Sequence, residues 1–296
     1  MMAASADLLS DLPLAHACAV LEVGRGNYYR ASRSATAAGS VETEPDAPLL
    51  AAIETVVLQL PGYGYPRVTA QLRREGWEVN HKRVYRLMRE AGLLRVRRRG
   101  QVRTTDSEHG FPIYPNLLSE RGWRRLTAPD QAWGADLTYV RLGDGFCYLA
   151  VLLDLFSRRI VGWNLAEGLE ASGALAALEM ALQSRQPAGD WIHHSDRGVQ
   201  YACRDYVRRL KQAGARISMT ASGEPKENAQ AERVIRTVKE EEVDLQEYGS
   251  FGEAERGIGC FIEAVYNRKR LHSALGYRPP AEFEQAWLAQ QHAGAR

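Results

Sequence analysis

A chain of 296 residues, 45% hydrophobic and 25% charged, has room for one large core and smaller modules, two or three domains in all. Its four cysteines, Cys18, Cys147, Cys203 and Cys260, are scattered without a C-x-x-C pair, which argues against a disulfide framework or a zinc ribbon. No eighteen-residue apolar run and no secretory leader pattern occurs, so a soluble protein of the reducing cytoplasm, without a membrane partner, is expected.

The formal net charge of +2 does not mark a nucleic-acid binder, but the charge is unevenly placed: residues 67–103 hold twelve Lys or Arg against three Glu. Residues 1–30 pair an Ala-rich helical stretch with a Gly24/Gly26 turn and Tyr28-Tyr29-Arg30, which reads as a short helical segment or a minimal helix-turn-helix. Residues 31–48, rich in Ala, Ser, Thr, Gly, Glu and Pro, read as a linker. A basic helix-turn-helix module over 49–103 follows, with helices Leu49 to Leu60, Val68 to Glu75 and His81 to Ala91, and with Gly76 and Gly92 as C-terminal stops. The last helix keeps Val84, Leu87, Met88 and Ala91 on one side and carries Lys82, Arg83, Arg86 and Arg89 elsewhere. That arrangement suits a recognition helix in a DNA major groove, although an amphipathic surface helix can solvate arginines without any partner. Arg97, Arg98 and Arg99 extend the positive run, which favours DNA.

Residues 104–128 look like an extended tether. From 129 to 246 the pattern is strand Trp133 to Leu142, a Gly143-Asp144-Gly145 hairpin, strand Phe146 to Leu155 and strand Arg159 to Asn164. A helix Ala171 to Ser184 comes next, then a strand running into Asp196, a helix Tyr201 to Ala213, a strand Arg216 to Met219, a loop Ala221 to Lys226 and a helix from Asn228. The order βββαβαβα is that of the ribonuclease-H-like fold, an α/β class with a mixed sheet, here behind N-terminal all-α helix-turn-helix modules. Residues 247–296 form a C-terminal helical extension.

In that fold the first and fourth strands lie side by side, about 4.8 Å apart, so Asp136 and Asp196 approach each other. Glu232 follows Asp196 after thirty-five intervening residues, on a helix that can cross the same edge. Three ionised carboxylates repel one another unless a cation compensates them, and hard oxygen donors select Mg²⁺ or Mn²⁺. Two such ions about 4 Å apart activate an attacking oxygen and stabilise the leaving oxygen of a phosphodiester, so the pattern points to metal-assisted phosphoryl transfer. Asn228, Glu232, Arg236 and Lys239 form one stripe of the last helix, a DNA-facing side, with Val234, Val238 and Leu245 opposite. Thr138, on the face of Asp136, is a candidate to support the metal ligands. His194 either orients a metal-bound water or makes a structural hydrogen bond. His193 and Asp154 read as structural. Glu224, in a Gly/Pro-flanked loop, is a weaker third acid than Glu232.

Trp133-x-x-Asp-Leu-Thr-Tyr139, His194-Ser-Asp-Arg-Gly-x-Gln-Tyr201, Asn228-Ala-x-Ala-Glu232 with Lys239 seven residues on, and Tyr266-Asn-x-x-Arg-x-His-x-x-Leu-Gly-Tyr277-x-x-Pro280 resemble the second-frame (OrfB) transposases of bacterial insertion sequences of the IS-three family, within the retroviral-integrase-like DDE recombinases. Tyr63-Gly-Tyr-x-Arg67 and Lys82-Arg-Val-x-Arg-Leu-Met-Arg-Glu-Ala-Gly-Leu93 are similar to that family's helix-turn-helix. The resemblance implies an enzyme that cuts element ends and joins the 3′ hydroxyl to target DNA, with Asp136, Asp196 and Glu232 as Mg²⁺ ligands. It further implies a homo-oligomeric synaptic complex on double-stranded DNA, a first-frame (OrfA) partner, and a place at the bacterial nucleoid. Two features depart from the family: Glu227 stands where Asp is usual, and no leucine zipper is evident. Two other readings of the same residues are a DNA-binding regulator with a catalytically silent core and a simple nuclease of this fold.

Overall fold

A computed structural model describes residues 46–95, 111–118, 122–221 and 227–294. The chain divides into two units, residues 1–51 and 52–296, and of the first only the opening turns of one helix are described. The expected helical segment within residues 1–30 and the arginines Arg97, Arg98 and Arg99 lie outside the described residues, as does Glu224.

Helix α1 (Asp46–Gln59) begins inside the expected linker and gives way to the Pro61-Gly62 turn. Helix α2 (Tyr65–Arg74) opens with Pro66 in its first turn, where the missing N–H costs nothing, and α3 (His81–Glu90) is capped by the Asn80 side chain, which accepts from the Lys82 N–H. Gly76 and Gly92 follow these helices with φ of +93° and +70°, a backbone that side-chain-bearing residues adopt only with strain. Val84, Leu87 and Met88 are buried as their spacing predicts, whereas Ala91 is exposed because the helix has ended at Glu90.

The sheet contains β1 (Ala132–Leu142), β2 (Gly145–Asp154), β3 (Ile160–Ala166), β4 (Ile192–Ser195) and β5 (Arg216–Met219), in the order β3-β2-β1-β4-β5. The first three strands are antiparallel; β4 pairs with β1, and β5 with β4, in parallel. This is the ribonuclease-H-like arrangement read from the element order. Alternation along the strands sends Trp133, Ala135, Ala150 and Leu152 to one face, under α4 (Ala171–Arg185) and the helices after β4. Ala132, Val140, Leu149 and Val151 go to the other face, under α7 (Ala229–Glu241) and α8 (Phe251–Cys260).

The helix expected over Tyr201 to Ala213 is two pieces, α5 (Val199–Ala202) and α6 (Arg204–Gln212), broken by extended backbone at Cys203. Five residues apart on one continuous helix, Tyr201 and Tyr206 would point about 140° apart. The break turns both into one layer, with ring centroids 5.5 Å apart beside the buried His193, whose Nε2 meets the Tyr206 hydroxyl at 2.9 Å.

The C-terminal stretch is not peripheral. Ala254, Ile258, Phe261, Ile262 and Tyr266 are buried in the same cluster as Val234 and Val238, and α9 (Pro280–Gly294) contributes Glu284, buried between Arg185 and Arg159. Arg270 is 3% exposed and makes two 2.7 Å hydrogen bonds to Glu241 at the end of α7. Leu245, expected on the packed side of that helix, is 52% exposed because a 3₁₀ turn at Val243–Leu245 re-aims the chain. The helix-turn-helix segment meets this same region. The Leu271 N–H donates to the Tyr63 hydroxyl, Arg67 donates to the Leu271 carbonyl, and Arg95 pairs with Glu240 at 2.9 Å. No helix among the described residues is long and apolar enough to cross a membrane.

Candidate active site

The site begins with register. The last paired residues of β1 and β4 are Gly134 and His194, and each strand places an aspartate two residues further on, Asp136 and Asp196. A two-residue step returns each side chain to the face of the paired residue before it, so the acids leave neighbouring strands at one level. Asp136 accepts a hydrogen bond from the Leu137 N–H at 2.8 Å, and Asp196 accepts one from the Gly198 N–H at 2.9 Å. These local bonds fix one oxygen of each carboxylate.

Helix α7 supplies the third acid. Glu232 sits in its first turn, and the preceding Ala231 packs over Gly134 of β1: a Cβ at 134 would touch the Ala231 methyl at an ordinary 3.6 Å and press the Leu155 side chain at 2.9 Å. Asn228, at the helix start, is buried and donates from Nδ2 to the Ala135 carbonyl at 3.1 Å, one residue before Asp136. His194 adds a second fastening, with Nδ1 2.8 Å from Ser218 Oγ and Nε2 3.2 Å from the Glu227 carbonyl. Burial holds its pKa below the ordinary histidine value, which suits a neutral ring shared between those partners. As placed, Asn228 and His194 spend their polar atoms on setting the Glu232 helix against the sheet.

The electrostatics tie the three acids together. Burial first, and then the charges of Asp196 and Glu232, push the Asp136 carboxyl up to about 8, while the Leu137 hydrogen bond and Lys239 oppose the rise. Glu232 is also raised by burial and by Asp196, against Arg236. Asp136 is thus partly open to solvent yet surrounded by protein mass and like charge, an environment that a cation would reverse. Among the described residues no three acidic, His or Cys side chains stand close enough together to enclose one ion. The chemistry of the donor set, three carboxylates and no nitrogen or sulfur, is that which suits a hard divalent cation.

Around the acids, Thr138 is buried on the strand, Arg236 is exposed on α7, and Lys239 places Nζ 3.8 Å from the centre of the Tyr139 ring. Lys82 and Arg89 are exposed on α3, and Arg83 and Arg86 are partly exposed, with Arg86 pairing Glu90 at 3.1 Å. Asp154 accepts from the N–H groups of Asp130, Phe156 and Ser157, the turn role expected of it. The Lys239–Tyr139 contact and the Asn228 anchor were not foreseen; the aromatic residue in Asp-Leu-Thr-Tyr and the residues ahead of Glu232 carried the only signal.

Family models described as "Integrase core domain" match residues 127–225 and 213–280, and one described as "HTH-like domain" matches residues 44–101. The chain is 35% identical over 276 residues to the transposase InsF for insertion sequence IS3A of Escherichia coli (strain K12), covering 92% of this chain and 94% of that one. It is 38% identical over 231 residues to the transposase for insertion sequence element IS629 of Shigella sonnei, covering 77% and 75% respectively. Among solved structures, the HTLV-2 integrase catalytic core domain in complex with magnesium aligns at 12% identity with a TM-score of 0.42, over 54% of this chain and 99% of that one. With an insertion-sequence transposase aligned along nearly the full length of both chains, and integrase-core models spanning the sheet and the acidic helix, this chain belongs to the IS3-type family of DDE DNA transposases.

Proposed function

We propose that this transposase cuts the ends of its insertion sequence and joins the freed 3′ hydroxyls to target DNA at the cleft between β1, β4 and α7. In the first step a water oxygen attacks the phosphodiester phosphorus and the 3′ oxygen leaves, taking a proton to become a hydroxyl. In the second that 3′ hydroxyl attacks a target phosphodiester and displaces another 3′ oxygen, so the number of phosphodiester bonds is conserved and no covalent enzyme intermediate is needed. Asp136, Asp196 and Glu232 would hold Mg²⁺ or Mn²⁺, two ions in the full reading. When bound, such ions activate the attacking oxygen and stabilise the leaving one.

The chain's own groups do the positioning. Asn228 and His194 hold the Glu232 helix in register with the aspartates. Lys239 and Arg236 lie on the same helix within reach of a phosphate beside the acids. Helix α3 would enter a major groove with Lys82, Arg83, Arg86 and Arg89, and Arg97, Arg98 and Arg99 would follow the backbone beyond it. Joining two element ends in one event calls for two active sites held together, hence a homo-oligomer, with a first-frame protein as a further partner.

The observation that carries this reading is the register that sets Asp136 and Asp196 each two residues past the paired Gly134 and His194, with the Glu232 helix fastened to β1 through Asn228 and the Ala135 carbonyl. The test is strand transfer on duplexes bearing the element ends, in Mg²⁺, by the wild-type chain and by Asp196→Asn. Joined product from the wild type alone is expected. Equal product from both proteins, or none from the wild type with the first-frame protein added, refutes it; the last outcome favours a DNA-binding regulator, and cleavage without joining favours a simple nuclease.

A further inference from the structure

Beyond Gly134, β1 has no β4 partner among the described residues. Lys239, in the last turn of α7, reaches over the β1 residue Tyr139. Its Nζ lies 3.8 Å from the Tyr139 ring centre, and Tyr139 in turn meets Phe146, across the β1–β2 hairpin, edge-on at 5.6 Å and 83°. The Phe146 ring is 54% exposed. Asp136 lies three residues before Tyr139, and the Lys239 charge is felt at its carboxyl.

A lysine on four rotatable bonds, beside a cluster of acids, has an obvious place to fall: onto the carboxylates. There it would neutralise the charge the cleft offers to a cation, and its ammonium would be lost to a DNA phosphate. The face of an aromatic ring attracts an ammonium without neutralising a carboxylate and leaves its outward N–H donors available. The edge of Phe146 fixes the ring that does this.

We infer that Tyr139, braced by Phe146, is a positioning residue that holds the Lys239 ammonium on its ring, clear of Asp136, and presents it to the DNA phosphate next to the scissile bond. This rests on the acidic cleft being the strand-transfer site. It also ascribes to the tyrosine of Asp-Leu-Thr-Tyr a role exerted wholly through a residue one hundred positions away.

The test is a double-mutant cycle on the full chain with Tyr139→Leu, Tyr139→Phe, Lys239→Ala and the Leu/Ala double variant, with Tyr139→Thr as a second truncation should Leu lower the melting temperature. Two readouts are taken: anisotropy of a fluorescein-labelled duplex carrying the element end, across a salt series, and strand transfer in Mg²⁺. Losing a cation–π contact of this kind predicts that Tyr139→Leu weakens duplex affinity about three- to tenfold and flattens its salt dependence, that Tyr139→Phe retains near wild-type values, and that Leu adds nothing once Lys239 is Ala. Full additivity of Leu and Ala, a Phe variant as impaired as Leu, or a Leu variant equal to wild type overturns the inference. A wild-type chain that binds the duplex but joins nothing overturns the strand-transfer reading instead, and the affinity cycle still decides the Tyr139–Lys239 coupling.

Discussion

Replacing Asp136 by Asn should make the metal-free protein more stable at neutral pH. The Asp136 carboxyl is pushed up to about 8 from an ordinary 3.8, chiefly by burial and then by the neighbouring charges. Its folded-state pKa therefore lies above its unfolded value, so the folded state binds the extra proton. The stability this confers is fully present below about pH 4 and is lost as pH rises, at about 1.4 kcal/mol per unit, until about pH 8. Over the three units from about pH 4 to 7 the wild type loses up to roughly 4 kcal/mol at this one residue, and Asn loses none. Asp154, raised to about 6 by burial, contributes with the same sign in both proteins and cancels in the difference. The assay is urea unfolding of both proteins in EDTA at intervals from pH 5 to 8. The stability of Asp136→Asn minus that of wild type should rise with pH over that range, and added Mg²⁺ should then stabilise the wild type by mass action far more than the variant. A difference that stays flat within about 0.5 kcal/mol refutes the idea that like charge and burial are stored at Asp136.

Two further outcomes follow from the packing and the charge. A Cβ at Gly62 would overlap Glu241 Cγ, and Glu241 is held by Arg270 in a buried pair, so Gly62→Ala should cost about 3 kcal/mol by denaturant unfolding. A loss under about 0.5 kcal/mol would mean that the helix-turn-helix segment does not seat against the end of α7. Charge reversal of Arg83 and Arg86 to Glu should weaken duplex binding and flatten its salt dependence, with only a small fall in melting temperature from the lost Arg86–Glu90 pair. Unchanged anisotropy titrations would remove α3 from the DNA interface.

Much of the frame was legible because it is written in local patterns. Alternation gave β1, the Gly143-Asp144-Gly145 hairpin gave its antiparallel partner, and Arg216–Met219 matched a strand end to end. The side-by-side placement of β1 and β4 followed from the order of elements, the strands that carry Asp136 and lead into Asp196. What escaped depends on partners remote in the chain. The burial of Arg270 left no trace in the sequence because its hydrogen-bond partner Glu241 sits on another helix, and a charge that far apart in the chain gives no periodic signal. Asn228 stood out by its position on the Glu232 stripe, while the Ala135 carbonyl to which its amide donates gave no sign in the sequence. The break at Cys203 follows from seating two tyrosines in one layer, a packing demand with no local signature.

The convergence of the third acid is the point on which the enzymatic account turns, and Glu232→Gln tests it most directly, since the amide keeps the shape of the side chain and removes the charge. Strand transfer by this variant on element-end duplexes in Mg²⁺, measured beside its duplex affinity, should show joined product reduced by several orders of magnitude with binding unchanged. Joined product at the wild-type rate would contradict the account, because Asp136 and Asp196 would then suffice without Glu232.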